Sequence, residues 1–258
     1  MTMNLPVVAD SLTLYLAEIR KFPLLDADEE KRLAVSFFEE KNLAAAHTLI
    51  TANLRFVVKI CAEYDVPIFY DGSYDQLILE GRQVDFRKIA RDKVPFIYGS
   101  SLSKDFSYPG ARIGWVAFHG DKWAEVKNAF FLLCNQRLSV NWEYQKAAAE
   151  ALVHPSFPAY IADTKAKLIE RRDTFVKMAK KLPLSFPVPK GAFYAFIKIE
   201  TPKWKKDVQF VRAALKEGVV FVPGSGFGRQ EDGVYFRSTF LPEPHIIEEA
   251  FTKIKRIL

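Results

Sequence analysis

All twelve glycines of this 258-residue chain lie at or beyond position 72, and before residue 61 the only prolines are Pro6 and Pro23. A stretch so poor in turn-formers has few ways to fold other than as helices. Residues 10–60 therefore read as helix throughout. Ser11 caps a first helix whose Leu12, Tyr15, Leu16 and Ile19 share a face. Phe22-Pro23 ends it, because the residue before proline disfavours helical backbone. Asp26 or Asp28 opens a second helix through Glu40, with acidic residues in its first turn and Leu33, Phe37 and Phe38 turned inward. A third begins near Asn42 and carries Leu43, Ala46, Leu49, Ile50 and Leu54.

After Cys61 the texture changes to short apolar runs alternating with amphipathic stretches and Gly/Pro turns. Val66–Tyr70, Phe96–Tyr98, Trp115–Phe118, Ala192–Ile199 and Val219–Val222 read as strands. Glu143–Leu152, Tyr160–Lys181, Val208–Lys216 and Glu243–Leu258 read as helices. That alternation predicts an α/β organisation. With 49% hydrophobic residues and 22 Phe, the chain has material for a core. No apolar run reaches 18 residues, which predicts no membrane span, and no basic-then-apolar start predicts a signal peptide. Cys61 and Cys134 lack metal or redox spacing and read as small buried residues. The expected compartment is the cytoplasm. Residues 1–60 carry seven basic and eight acidic side chains, so the whole chain's +6 is a slightly negative start and a remainder of +7. It is too diffuse to argue for nucleic acid.

The most informative stretch is SSLSKDFSYPGARIGW, Ser100 to Trp115. A lysine amine can form an imine with an aldehyde. Hydroxyls and a forked guanidinium suit a phosphate dianion. Upstream, PIFYDGSYDQL ends a strand at Asp71 and sets Tyr74 three residues later, 33 residues before Lys104 in the case of Asp71. Ligand groups gather at such carboxyl ends of strands. The pattern Ser-x-Ser-Lys-x(7)-Arg-x-Gly resembles the cofactor-lysine motif of class I/II aminotransferases of pyridoxal-phosphate (PLP) fold type I. The resemblance implies Lys104 as the imine lysine and Ser101, Ser103 and Arg112 as phosphate ligands, with Gly110 and Gly114 easing the turn. It implies Asp71 as partner of the pyridinium nitrogen and Tyr74 as partner of the cofactor's ring oxygen. KGAFYAFIKI resembles the strand opening the family's small domain. VYFRSTF resembles a late strand whose arginine, here Arg237, clamps the substrate carboxylate. The glycines of VVFVPGSGFG do not make a nucleotide loop, and the family resemblance implies a loop near the substrate. His47, His119, His154 and His245 form no metal pair, and there is no G-x-S-x-G.

SLTLYLAEIRKFPLLDADEEKRLA followed by LITANLRFVVKI resembles the start of bacterial heat-shock-type sigma factors. The earlier half of the aminotransferase family, with its glycine-rich phosphate turn, finds no match in residues 1–60. The fold expected is thus a truncated PLP fold type I, part of a large-domain sheet plus a small α+β domain, behind an all-helical segment. The divisions expected are 1–60, 61–153 and 154–258, with the join near Ile60–Cys61. The reaction implied is amino-group transfer between an amino acid and a 2-oxo acid, by a homodimer, weakened or lost through truncation, with association through exposed apolar faces. β-Elimination and decarboxylation are related chemistries of the same fold. The alternatives are a sigma-like module that binds RNA polymerase or DNA, and a non-catalytic chimeric fragment.

Overall fold

The computed structural model describes residues 25, 27–40, 42–81, 85–90, 93–120, 124–138, 140–228 and 233–258. The helix expected around Leu12–Ile19 lies outside them. The described residues fall into two compact units. The first draws on Met1–Gly72, Gln83–Ser100 and Gly114–Ser139, the second on Ser73–Arg82, Ser101–Ile113 and Val140–Leu258.

In the first unit, α1 (Ala27–Glu40) opens with Asp28, Glu29 and Glu30, whose charges suit the positive end of the helix dipole. It packs against α2 (Leu43–Glu63). α2 begins next to Asn42, as expected, and Asn42 caps it: its side-chain oxygen accepts from the Ala44 and Ala45 amides at 3.0 and 3.3 Å. The helix runs unbroken across Ile60–Cys61 and buries Val58, Ile60 and Cys61. Burial raises the Cys61 thiol above its ordinary pKa. A three-stranded sheet follows, in the order β1 (Ile68–Asp71), β2 (Phe96–Ser101), β3 (Gly114–His119). β1 and β2 are parallel, with Ile68 opposite Phe96 and Asp71 opposite Gly99. Short α3 (Phe86–Ala90) closes a small core of Val58, Cys61, Ile68, Phe86, Ala90, Val94 and Phe96. α5 (Ala124–Gln136) was not expected from sequence, because Phe130–Leu133 is a continuous apolar run without a helical period. None of its side chains is buried, and Phe131, Leu132 and Leu133 are exposed. The four-residue α4 (Leu102–Asp105), between β2 and β3 in sequence, belongs to the second unit.

The second unit is built on a four-stranded antiparallel sheet. Its order is β4 (Leu184–Ser185), β5 (Tyr194–Ile199), β7 (Val234–Thr239), β6 (Val222–Pro223). β5 alternates strictly: Ala195, Ile197 and Ile199 point into the core, and Tyr194, Phe196 and Lys198 point away. β7 matches it, with Phe236 and Ser238 inward and Arg237 opposite Phe196 on the outer face. α6 (Trp142–Val153), α7 (Phe157–Ala179), α8 (Asp207–Lys216) and α9 (Pro244–Ile254) complete the unit. Phe175, Phe210, Phe236 and Phe240 are among its fully buried side chains. The strand expected over Val219–Val222 is confined to Val222–Pro223, because Val219 and Phe221 bury themselves in the core instead of pairing. The last helix stops at Ile254, short of the expected Leu258.

Phe236 packs its ring 4.6 Å from that of Phe221 and 4.9 Å from that of Phe210. Phe236→Ala is expected to cost ~3–5 kcal/mol in denaturant unfolding. Phe69→Ala, on an exposed side chain of β1, is expected to stay within about 0.5 kcal/mol. Equal losses at the two positions would contradict the burial described.

Candidate functional site

Tyr74 is held where it is by backbone hydrogen bonds. It precedes a 3-10 turn, Asp75–Leu77, and the chain after that turn runs against Lys190–Ala192. Ala192 N–H donates to Leu77 O at 2.9 Å, and Leu79 and Glu80 N–H donate to Lys190 O at 2.9 and 3.0 Å. Ala192 takes a positive φ of 54°, a conformation side chains usually avoid. β5 begins two residues later. Tyr74 therefore meets Phe193 edge-on at 5.7 Å and Tyr194 at 6.2 Å. Its hydroxyl lies 3.3 Å from that of Tyr194.

Lys104 sits on α4, in the loop from Ser101 to Ile113. That loop closes on itself: Leu102 N–H donates to Ile113 O and Tyr108 N–H to Leu102 O, both at 3.1 Å. Aromatic contacts tie it to the long helices. Phe106 stacks on Phe157 and Tyr160 of α7, and the Tyr108 hydroxyl meets that of Tyr144 on α6 at 3.1 Å. So anchored, the Lys104 ammonium lies 5.6 Å from the centre of the Tyr74 ring and 5.3 Å from that of Phe193. Ring faces attract a cation and offer no acid to pair with it.

Arg237 occupies the outer face of the same sheet. Its guanidinium lies 4.7 Å from the Tyr194 ring centre and 4.4 Å from that of Phe227. Its Nε is buried and has no hydrogen-bond partner. A buried donor left unmatched is costly and suits an incoming anion. Phe227 ends the 3-10 turn Gly224–Phe227. A side chain on Gly224 would sit 2.6 Å from the Tyr235 carbonyl oxygen, so only glycine permits this approach. Asp207 pins the turn, accepting from Ser225 N–H at 2.7 Å. Burial opposes the Asp207 charge, but hydrogen bonds from Ser225 and Val208 outweigh it and hold the carboxyl below its usual range.

Of the residues singled out from sequence, Tyr74, Lys104 and Arg237 thus join one array through Phe193 and Tyr194. Ser101 and Ser103 flank Leu102 in the lysine loop and are half-buried. Arg112 ends that loop in left-handed backbone, φ 54°, and its exposed guanidinium donates to Pro109 O at 2.9 Å. Asp71 lies in the other unit, at the end of β1. The turn after it is tight: a side chain at Gly72 would fall 2.3 Å from the Tyr98 ring. Phe193, Tyr194 and Phe227 were missed as site residues. The alternation within AFYAFIKI could have placed Tyr194 on the outer face, but nothing in sequence pairs that face with Arg237. Among the described residues no cluster of His, Cys, Asp and Glu is placed to hold a metal. No described helix is long and apolar enough to cross a membrane.

Comparison with known proteins gives the family. The family model for aminotransferase class I and II matches residues 48–254. A second, for sigma-70 factor region 1.2, matches residues 10–42. Residues 43–47, at the start of α2, fall in neither match. The LL-diaminopimelate aminotransferase of Halothermothrix orenii is 28% identical over 205 residues, 77% of this chain and 50% of that protein. The glutamate-pyruvate aminotransferase of Haemophilus influenzae is 29% identical over 213 residues, 80% of this chain and 52% of that protein. The alanine aminotransferase from Pyrococcus furiosus superposes with a TM-score of 0.71 at 36% identity, over 80% of this chain and 52% of that one. The chain therefore spans about half the length of these relatives. Since one match runs from α2 past the lysine loop and the Arg237 strand into α9, the chain belongs to the class I and II aminotransferases, a PLP-dependent family.

Proposed function

We propose that this chain binds PLP at Lys104 and supports amino-group transfer between an amino acid and a 2-oxo acid. The observation that carries the reading is the array from Lys104 through Tyr74 and Tyr194 to Arg237, which ends in a buried, unpartnered Nε. An amine for the cofactor aldehyde and a guanidinium for a carboxylate then stand on one rigid sheet and its flanking loop.

The residues present suit the cofactor in kind. Ser101, Ser103 and Arg112 would meet the phosphate, Tyr74 the ring oxygen, and Asp71 would keep a proton on the pyridine nitrogen. When bound, PLP supplies an electron sink for negative charge at the substrate Cα. The protein does the rest. Lys104 Nζ would hold the cofactor, and its amine would carry the proton to and from the substrate Cα. Arg237 orients the substrate through its carboxylate, its Nε finding there the acceptor it lacks. Tyr194 and Phe227, within cation–π range of the guanidinium, help hold it in place.

The divisions 1–60, 61–153 and 154–258 remain our proposal for the descent of the parts. Homodimer formation, usual in the family, is proposed likewise. A second reading is favoured by the match over residues 10–42. It would have that segment contact RNA polymerase or DNA, independently of Lys104.

Reduction with borohydride after incubation with PLP, followed by peptide mass mapping, is expected to place the label on Lys104. Lys104→Ala should lose it, and label spread over other lysines would contradict the assignment. Arg237→Gln is expected to weaken binding of a 2-oxo acid at least ~10-fold by calorimetry, the loss of a charge-assisted hydrogen-bonded anchor. Unchanged affinity would remove Arg237 from the site.

A further inference from the structure

The described residues include one buried guanidinium that the proposed reaction does not use. Arg172, on α7, is 5% exposed. Its Nη1 lies 2.5 Å from a Glu80 carboxylate oxygen and donates to Pro189 O at 3.3 Å. Its Nε and Nη2 reach Asp173 at 2.9 and 2.8 Å. Glu80 and Pro189 belong to the two chain segments whose pairing sets Tyr74 and Phe193 beneath Lys104. One side chain therefore grips both sides of that crossing and ties them to a long helix.

Stability alone is a poor reason for such a group. Burying a guanidinium costs desolvation that its partners only roughly repay, and an apolar side chain of similar size would often serve as well. A forked cation with partners on separate segments fixes their mutual register, which an apolar residue cannot do. We propose that Arg172 is a positioning residue for Lys104. It clamps Glu80 and Pro189 so that the Tyr74 and Phe193 rings stay under the lysine ammonium. This rests on the reading of Lys104 as the reactive amine, but it makes a claim about the polypeptide that can be tested without cofactor.

The test compares wild type with Arg172→Met, Arg172→Lys and Glu80→Gln. Glu80→Gln removes the ion pair at a half-exposed partner and keeps the question answerable if Arg172→Met fails to fold. Amide hydrogen exchange should accelerate ~10-fold or more at Leu79, Glu80 and Ala192 in Arg172→Met and Glu80→Gln. The Phe196 and Phe236 amides of the β5–β7 pair should keep wild-type rates. Lys104 should react at least ~3-fold faster with a small amine-directed reagent as the rings leave it. Arg172→Lys should fall between, retaining the charge without the fork. Uniform acceleration across the unit, or none at the crossing, would overturn the proposal in favour of a merely structural arginine. An opened crossing with unchanged Lys104 reactivity would overturn it too. A separate PLP-uptake measurement on wild type distinguishes the two readings. If wild type takes up no PLP, the cofactor assignment fails, while exchange and reactivity still decide the role of Arg172.

Discussion

Three backbone hydrogen bonds between Leu77–Glu80 and Lys190–Ala192 hold the site together. These segments are more than a hundred residues apart in sequence, so closing that loop is a cost their packing must offset. Their pairing orders the 3-10 turn behind Tyr74 and starts β5 with Phe193 and Tyr194 on opposite sides. It also forces Ala192 into left-handed backbone, a strain tolerated because Phe193 gains the core and Tyr194 the outer face. Without the crossing, Lys104 would have no rings beneath it and Arg237 would lose one of the two that bracket it.

The sheet and the lysine loop play different physical parts. β5 and β7 are anchored by a dense aromatic core, so Arg237 projects from a rigid surface. The lysine loop has only short structure of its own. Stacking of Phe106 on α7 and the hydroxyl pair of Tyr108 and Tyr144 hold it. A cation on aromatic faces at one end and a bracketed guanidinium at the other leave two positive groups near each other's aromatic neighbours.

Much of this was legible in sequence where local chemistry decides. The absence of glycine foretold α1 and α2, and the apolar run AFYAFIKI foretold the strand β5. The lysine, its serines and its arginine stood out because a motif fixes their spacing. What stayed hidden depends on contacts between distant segments. Phe227 and Tyr194 gained their places from strand register and from the turn that Asp207 pins. Arg172 looked like any charged residue on a helix until Glu80 and Pro189 came beside it. α5 escaped because a continuous apolar run carries no period, and its exposed Phe131, Leu132 and Leu133 have no cover among the described residues.

The central claim is that this chain, which spans about half the length of its relatives, presents Lys104 in a preformed setting. Visible circular dichroism of the protein with stoichiometric PLP tests this most directly, because only cofactor held in a fixed, asymmetric site acquires optical activity. An induced band is expected in wild type and should disappear in Lys104→Ala. Cofactor absorbance without an induced band, or the same band in both proteins, would contradict it.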